Sequence, residues 1–562
     1  MHHRAKLLSG AALIAVTVLA GIAMQLLEPG IQGGPDRAAA ELPQGVAALV
    51  WTAPLGDVLA GAREMGLTAE VLTGWSREFF NSSAQPDNSL LSAEGLTAAG
   101  IDIARAPTLV FTPGPHSAGL GVLYLPVLTG RSGTAVVREV AGRMLVDPIM
   151  FSEMVVRGHA VLWLEGIGDN PSAGAVVEVP GGCFLVFPWR YRDDHAGLIS
   201  GEVSAFVERL LDPEVPRLAD TPGYSAAVAG SGGSVLGLYL NPTVVRTHFS
   251  EDVEIAASLS LFQGLAATAL YLTVQGNRAT ITGRAIGPEG GDSATFRRRD
   301  DAVFGLIPGE AGAGIHLALA AEHVAAVMEG SLALLGEAGD EYQAGKRAAA
   351  QALQLPAGAE LHHLWDGEIG LFVADLSLSP ELMLQNTVLF AGLSDLGRAK
   401  TAVRAAAQLA GEQHFAKEKS GSSPTWRIAY NGMVMGLMVH RGRLWFAGDL
   451  ASLAAIEKGT FSDSTNEERT QLMTSDMREA NGGALYVDLA AIVKNLPAVL
   501  DKQGLRSIEQ FRPLLSDLDY LTAGAVVEGN VTTIRLTLTT VKESVGKLAA
   551  EAAADFIQNR LQ

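Results

Sequence analysis

Cysteine is almost absent from this chain. The single cysteine, Cys183, allows no intrachain disulfide and no zinc site built from thiolates. It lies within the apolar run Gly-Gly-Cys-Phe-Leu-Val-Phe-Pro (181–188). Because a free cysteine among apolar residues behaves as a small hydrophobe, we expect Cys183 to be a core residue of a strand.

Charged residues, and basic ones in particular, are also scarce. Only 18% of the 562 residues are charged, and 60 acidic residues against 41 basic ones give a formal net charge of −19. A phosphate backbone repels a surface of that sign, so nucleic acid is not an expected partner. The apolar share of 48% excludes a disordered chain, and the length predicts about two to four domains.

Long apolar runs are missing except at the start of the chain. The uncharged segment 7–27 follows Arg4 and Lys6, and at about 1.5 Å per residue it is long enough to cross a hydrocarbon core of roughly 30 Å. This pattern predicts a cytoplasmic stub over 1–6, a transmembrane signal anchor over 7–27 and a linker over 28–42. The protein would then span a membrane once, with its bulk on the side away from the cytoplasm. Secretion after signal cleavage is the alternative.

The chain repeats its own pattern of segments. Five features of the first half return in the same order in the second: two strand–helix pairs, a hairpin with an Arg-Gly turn and a Leu-Trp strand, a third strand–helix pair, and a hairpin with a Gly-Asn turn. The matched segments are 47–66 with 314–330, 122–142 with 387–411, 155–166 with 438–448, 237–245 with 484–493, and 271–283 with 524–536. Such self-similarity predicts duplicated halves. The third match pairs Trp163 with Trp445, which we interpret as core anchors.

Strands, helices and hairpins are interleaved along both halves, which predicts an α+β fold with antiparallel pairing. We expect two tandem homologous halves, each a mostly antiparallel twisted sheet with packed helices, behind the N-terminal transmembrane helix. The predicted bounds are 43–290 for the first repeat, 291–312 for a linker rich in glycine and charge, 313–541 for the second repeat and 542–562 for a C-terminal amphipathic helix.

Asp488 follows the strand-like run Ala-Leu-Tyr-Val (484–487), a position at which some hydrolase folds carry a catalytic aspartate. Its counterpart in the repeat is Asn241, which Pro242 follows. Aspartate and asparagine both accept hydrogen bonds from the free N–H groups at a helix start, whereas asparagine is no nucleophile or general acid. We therefore interpret Asp488 and Asn241 as helix N-caps and give Thr52, at a related strand end, the same role.

Motifs of known chemistry are missing: there is no Gly-x-Ser-x-Gly elbow, no His-Glu-x-x-His, no EF-hand loop and no P-loop. Adjacent histidines on a strand point to opposite faces, which makes polar turns the preferred interpretation of the polar clusters that remain. We predict no catalytic, metal-binding or cofactor-binding residue. The clusters that could hold a weakly bound ion are His362, His363 and Asp366, and Asp193, Asp194 and His195.

The order of features resembles an uncharacterised bacterial envelope protein family known only as a domain of unknown function. The similarity rests on the N-terminal apolar segment and on four stretches: ELPQGVAALVW (41–51), GIDIARAPTLVF (100–111), LYLPVLTGRSGTAVVREVAG (123–142) and GALYVDLAAIV (483–493). The resemblance implies a bacterial origin and an extracytoplasmic location, so that the anchor would span the bacterial inner membrane once, with the bulk of the chain in the periplasm or outside. It implies no catalytic residue and no cofactor.

These observations favour a membrane-anchored, extracytoplasmic, non-enzymatic protein that serves as a binding or interaction module or as an envelope scaffold. Its expected contacts are the membrane, through the N-terminal helix, and an envelope protein or a lipid. Two alternatives stay open. One is a carrier or chaperone for an apolar ligand such as a lipid. The other is a hydrolase with a dispersed site that uses Asp488 or the cluster of His362, His363 and Asp366.

Overall fold

The described residues fall into two compact units. The first holds residues up to 248 together with 266–286, and the second holds residues from 287 to 541. The computed structural model describes residues 36–64, 92–114, 119–144, 150–165, 174–188, 196–248, 264–288, 296, 312–322, 324, 337–352, 364–373, 387–411, 415–418, 422–430, 433–458, 480–499 and 512–541.

The first unit is built on an antiparallel sheet. Its strands lie side by side in the order β4–β5–β6–β7–β3–β2–β1–β8–β9–β10, and every neighbouring pair is antiparallel. The bounds are β1 Ala48–Thr52, β2 Thr108–Thr112, β3 Leu120–Pro126, β4 Met150–Val156, β5 His159–Glu165, β6 Gly174–Val179, β7 Gly182–Pro188, β8 Leu236–Leu240, β9 Ala267–Gln275 and β10 Arg278–Ile286.

The second unit repeats that order strand by strand. Its strands run β14–β15–β16–β17–β13–β12–β11–β18–β19–β20, again with antiparallel neighbours throughout. Each strand of the second unit therefore corresponds to the first-unit strand whose label is lower by ten, so that β11 corresponds to β1 and β20 to β10. The bounds are β11 Ala313–Ala318, β12 Trp365–Val373, β13 Thr387–Leu393, β14 Phe415–Glu418, β15 Thr425–Tyr430, β16 Met433–His440, β17 Arg443–Ala447, β18 Gly483–Asp488, β19 Leu518–Glu528 and β20 Val531–Thr540.

Helices pack on these sheets. In the second unit α9 contributes Val403 to a core with Val439 and Leu444, while α10 contributes Leu453 to a core with Trp445. Because Leu444 and Trp445 are adjacent in β17, the two helices lie on opposite faces of the sheet. The helices are α1 Asp36–Glu41, α2 Leu55–Glu64, α3 Ala93–Ala98, α4 Gly133–Met144, α5 Ala196–Leu210, α6 Pro222–Val228, α7 Pro242–His248, α8 Glu337–Ala352, α9 Leu396–Ala410, α10 Leu450–Lys458, α11 Leu489–Val499 and α12 Arg512–Asp517.

Glycines in the strands face aromatic side chains on the neighbouring strand. Gly237 lies opposite Trp51, and a Cβ atom there would lie 1.9 Å from Trp51 Cζ2. Gly370 lies opposite Phe390, and a Cβ atom there would lie 2.0 Å from Phe390 Cε1. The aromatic ring occupies the space that the glycine leaves, which restores packing at a position with no side chain of its own. Part of the high glycine content is thus explained by cross-strand packing.

The two Arg-Gly turns adopt the predicted hairpin conformation. Arg157 and Gly158 have φ of 51° and 83°, and Arg441 and Gly442 have φ of 48° and 74°. Two consecutive left-handed residues form the tight turn that suits the twist of antiparallel strands. The Gly-Asn turns also begin with a left-handed glycine, at φ of 58° for Gly276 and 59° for Gly529.

The predicted equivalence of Trp163 and Trp445 is wrong. Trp163 lies on β5, whereas Trp445 lies on β17, the counterpart of β7. The pairing of Phe390 with Trp445 corresponds to that of Tyr124 with Phe184, so Phe184 is the counterpart of Trp445. The matched segments are two hairpins at different places in the sheet. They resemble each other in sequence because the same turn geometry selects the same residues.

The predicted fold class, α+β behind an N-terminal transmembrane helix, is also wrong. The described chain is mostly antiparallel sheet, and within it no helix is both long enough and apolar enough to cross a membrane. Hairpins join β4 to β7 and β14 to β17 in unbroken series, so local strand pairing dominates over the helices between strands. The apolar run 7–27 and the predicted C-terminal helix 542–562 lie outside the described residues.

Candidate functional site

The residue at the end of β18 is a helix cap. Asp488 Oδ1 accepts a hydrogen bond of 2.9 Å from the N–H of Ala491 in α11, and Asn241 Oδ1 accepts one of 3.2 Å from the N–H of Val244 in α7. The capping interpretation of both residues is confirmed. Thr52 is no cap, because its hydroxyl donates to the carbonyl oxygen of Ala53 at 2.9 Å.

We expect Asp488→Asn to leave stability nearly unchanged, because asparagine and aspartate are comparable N-caps. Asp488→Ala removes the acceptor for Ala491 N–H and should cost about 1 kcal/mol of unfolding free energy. Urea denaturation of the two variants measures the difference. Equal losses in both variants would show that the carboxylate has a role beyond capping.

Cys183 is the core residue that the sequence predicts. Its side chain is fully buried, with Sγ 3.9 Å from the carbonyl oxygen of Gly133. Burial, with a smaller contribution from the charge of Glu178, raises the pKa of the thiol to about 12. A thiol of that pKa stays protonated at neutral pH and is a poor nucleophile.

The two polar clusters lie mostly outside the described residues, within which no three histidine, cysteine, aspartate or glutamate side chains are grouped to hold a metal. Asp366 is the one member of the two clusters that is described, and its Oδ1 accepts a hydrogen bond of 2.9 Å from the N–H of Glu368. The other members lie outside the described residues: His362, His363, Asp193, Asp194 and His195.

A buried charge cluster in the second unit was not predicted. Glu368 on β12, only 3% exposed, accepts hydrogen bonds from His316 Nε2 at 2.8 Å, from Arg443 Nε at 2.9 Å and from Arg443 Nη2 at 2.7 Å. The ring of Phe390 completes the cluster: its centroid is 5.1 Å from that of His316 and 5.5 Å from the guanidinium carbon of Arg443. His316 and Arg443 lie 52 and 75 positions from Glu368 in sequence, so only strand pairing brings the three residues together.

The hydrogen bonds of this cluster indicate a structural role. Both Glu368 oxygens receive a donor, and the arginine binds in the two-pronged geometry that gives the strongest carboxylate pairing. By strand register, the first-unit counterpart of His316 is Trp51, and the counterpart of Arg443 is Gly182. The first unit therefore has no equivalent charge cluster. A signal was present in the sequence, since His316, Glu368 and Arg443 interrupt apolar strands.

A serine and a histidine also meet in the second unit. Ser423 Oγ lies 2.8 Å from His440 Nδ1, and burial together with the charge of Arg441 lowers the pKa of His440. Glu457 accepts hydrogen bonds from the N–H groups of Ser422 and Ser423 at 2.8 and 2.7 Å, and the bond from the Ser422 hydroxyl is the largest cause that lowers its pKa to about 2.

Among the described residues this arrangement lacks the third group that a nucleophilic triad requires. A triad needs a third group on the second nitrogen of the imidazole, which orients the ring and stabilises its charged form. His440 Nε2 has no hydrogen-bond partner among the described residues, and Glu457 binds serine backbone instead. The contacts tie residues 422–423 to α10.

An apolar strip crosses the second sheet on the face opposite the charge cluster. Ile315 on β11 pairs with Leu485 on β18 and with Leu371 on β12, and Leu371 pairs with Leu389 on β13. At the usual strand spacing these four side chains extend over roughly 14 Å. Leu371 and Leu389 are 37% and 38% exposed. Helix α9 covers the neighbouring part of this face and leaves these two leucines accessible.

The first sheet carries the same strip at the same register. Val50 on β1 pairs with Leu238 on β8 and with Leu109 on β2, and Leu109 pairs with Leu123 on β3. Leu270 on β9 extends the row beyond Leu238 and is 47% exposed. We use "apolar strips" for these two rows. No local sequence pattern reveals these rows, because they depend on strand pairing, and their exposure depends on where the helices lie.

Comparison with known proteins assigns no family. No protein-family model matches the chain, and no curated protein matches it. Three crystal forms of TP0453 are similar in structure, with TM-scores of 0.24, 0.24 and 0.23 and sequence identities of 15%, 14% and 14%. Each match covers 45% of this chain and 80%, 83% and 79% of TP0453 in turn. TM-scores of this size do not establish a shared fold.

Proposed function

We propose that this protein is a non-enzymatic binding module of the cell envelope that holds a protein partner on its apolar strips. The observation that supports this proposal is the recurrence of one apolar row at the same register in both units, exposed at Leu371 and Leu389 in the second unit and at Leu270 in the first. Single exposed leucines are common on protein surfaces, whereas contiguous rows mark contact surfaces.

The exposed members of the strips offer apolar surface that a partner would bury. Burial of one leucine or isoleucine side chain contributes about 1.5–3 kcal/mol, and the exposed parts of Leu371 and Leu389 provide a fraction of that each. Two equivalent strips in one chain allow a partner with a repeated apolar feature to bind twice, which raises overall affinity without any new kind of contact.

The location that fits this function is outside the cytoplasm. The apolar run 7–27 behind Arg4 and Lys6 supports export, and the near absence of cysteine leaves no thiols to protect in an oxidising compartment. Whether the run is retained or cleaved, the strips would face the periplasm or the exterior.

A carrier for an apolar ligand such as a lipid is the second candidate. It is favoured by the composition of the strips, whose exposed members are aliphatic, because cores of protein–protein interfaces are enriched in aromatic residues, methionine and arginine. An adduct of lipid mass on the purified protein would move this candidate to first place.

Photo-crosslinking in intact cells tests the proposal. A photoreactive amino acid at Leu371 should give a discrete protein adduct, and the same amino acid at Arg404, exposed on α9, should give none. Leu371→Lys combined with Leu389→Lys should abolish an adduct captured from Leu485. The proposal fails if position 371 yields no protein adduct, or if positions 371 and 404 yield the same ones.

A further inference from the structure

Two guanidinium groups converge on one turn of the first unit. Gly181 lies between β6 and β7 with φ of 79°. A methyl group placed on its Cα would lie 2.8 Å from Arg37 Nη2 and 3.1 Å from Arg105 Nη1. Arg37 comes from α1, and Arg105 comes from the segment before β2. The absence of a side chain at Gly181 is what allows both groups to close over the turn.

A buried phenol faces the same turn. Tyr124 on β3 donates its hydroxyl hydrogen bond to the carbonyl oxygen of Gly181 at 3.3 Å and is 2% exposed. Burial raises the pKa of Tyr124, and the charges of Arg37 and then Arg105 oppose that rise. The charge of Glu41 acts on the same phenol and is the smallest of these influences.

The charges at this turn are only partly compensated. Asp102 Oδ2 lies 3.1 Å from Arg105 Nε, on the side of the guanidinium away from its Nη1, and the pair is half-exposed. Among the described residues no carboxylate lies within ion-pair distance of Arg37. Two neighbouring cations repel each other, and an anion between them reverses the sign of that interaction.

We propose that Arg37, Arg105 and the Gly181 turn form a binding site for a phosphate group, either of free phosphate or of a lipid headgroup. Planar guanidinium groups match the geometry of phosphate oxygens and bind them in two-pronged fashion. The site is independent of the apolar strips and of any protein partner held there.

The second unit supplies a matched control. Gly442 lies at the equivalent turn between β16 and β17, with φ of 74°, and no atom lies within 4 Å of the position that its Cβ would take. Gly181→Ala and Gly442→Ala therefore impose the same backbone strain in a left-handed turn. Only Gly181→Ala pushes a methyl group between two guanidinium groups.

Calorimetric titration of the full chain in phosphatidylcholine nanodiscs tests the site. The probes are inorganic phosphate and, in a separate arm, dihexanoyl phosphatidylglycerol, a soluble lipid with an anionic headgroup. The proteins are wild type, Gly181→Ala, Gly442→Ala and the double variant Arg37→Gln with Arg105→Gln, whose exposed substitutions should leave the fold intact. Circular dichroism checks the fold of each.

We expect at least one probe to bind wild type and Gly442→Ala alike, and to bind Gly181→Ala and the arginine variant at least tenfold more weakly. If inorganic phosphate binds, free phosphate is a sufficient ligand for the site. If only the lipid binds, the ligand is the lipid headgroup. The proposal is overturned if neither probe binds wild type, if Gly442→Ala weakens binding as much as Gly181→Ala, or if the arginine variant binds like wild type.

Discussion

Replacement of Glu368 by alanine is expected to destabilise the second unit by about 3–5 kcal/mol, because it removes the buried acceptor that the half-buried Arg443 guanidinium and the buried His316 ring share. Glu368→Gln keeps one acceptor oxygen and should cost less. Urea denaturation followed by tryptophan fluorescence measures both, since Trp445 packs against Phe390 beside the cluster.

The control for this prediction is an exposed ion pair. Arg138 Nη2 lies 2.7 Å from Glu153 Oε1, but Glu153 is 67% exposed, so Glu153→Ala should change stability by no more than about 1 kcal/mol. If Glu368→Ala costs as little as Glu153→Ala, the buried cluster does not hold the second sheet together.

Trp51→Ala should destabilise the first unit by about 3–5 kcal/mol, the usual cost of removing a fully buried tryptophan side chain. The indole fills the space above Gly237, and its Nε1 donates to Ser234 Oγ at 2.9 Å. Removal therefore leaves a cavity and takes away the partner of a buried hydroxyl.

Trp51→Phe is an intermediate change, because a phenyl ring keeps an aromatic group beside Gly237 but lacks the outer indole atoms, Cζ2 among them, and the Nε1–H donor. We expect it to cost about 1–2 kcal/mol, between wild type and Trp51→Ala. Thermal unfolding followed by calorimetry measures the series. A Trp51→Ala variant as stable as wild type would contradict the cross-strand packing of aromatic rings on glycine.

Local chemistry made several features predictable from the sequence. The caps at Asp488 and Asn241 and the Arg-Gly turns depend on residues adjacent in the chain, so their sequence patterns are reliable. The α+β class was mispredicted because apolar spacing indicates helices well but does not show how far hairpin strands outweigh them.

Features that depend on strand pairing could not be predicted from the sequence. The charge cluster needs β11, β12 and β17 to be neighbours, and no local pattern places Arg443 beside Glu368. The third repeat match failed for the same reason, because a hairpin does not reveal its place in the sheet.

The charge cluster and the apolar strip are two sides of the same strands. His316 is adjacent to Ile315 in β11, and Glu368 and Leu371 lie on opposite faces of β12. On the face opposite the strip, the cluster links β11 and β12 to Arg443 of β17. It therefore helps to fix the distances between the strands that carry the strip. Glu368→Ala should therefore weaken partner binding as well as stability.

Native mass spectrometry of the protein, purified without detergent from the cells that produce it naturally, tests the central claim most directly. The account predicts a complex of discrete stoichiometry with a protein partner, lost when Leu371→Lys and Leu389→Lys are combined. A bare protein in both samples, or a complex that survives the two substitutions, would contradict it.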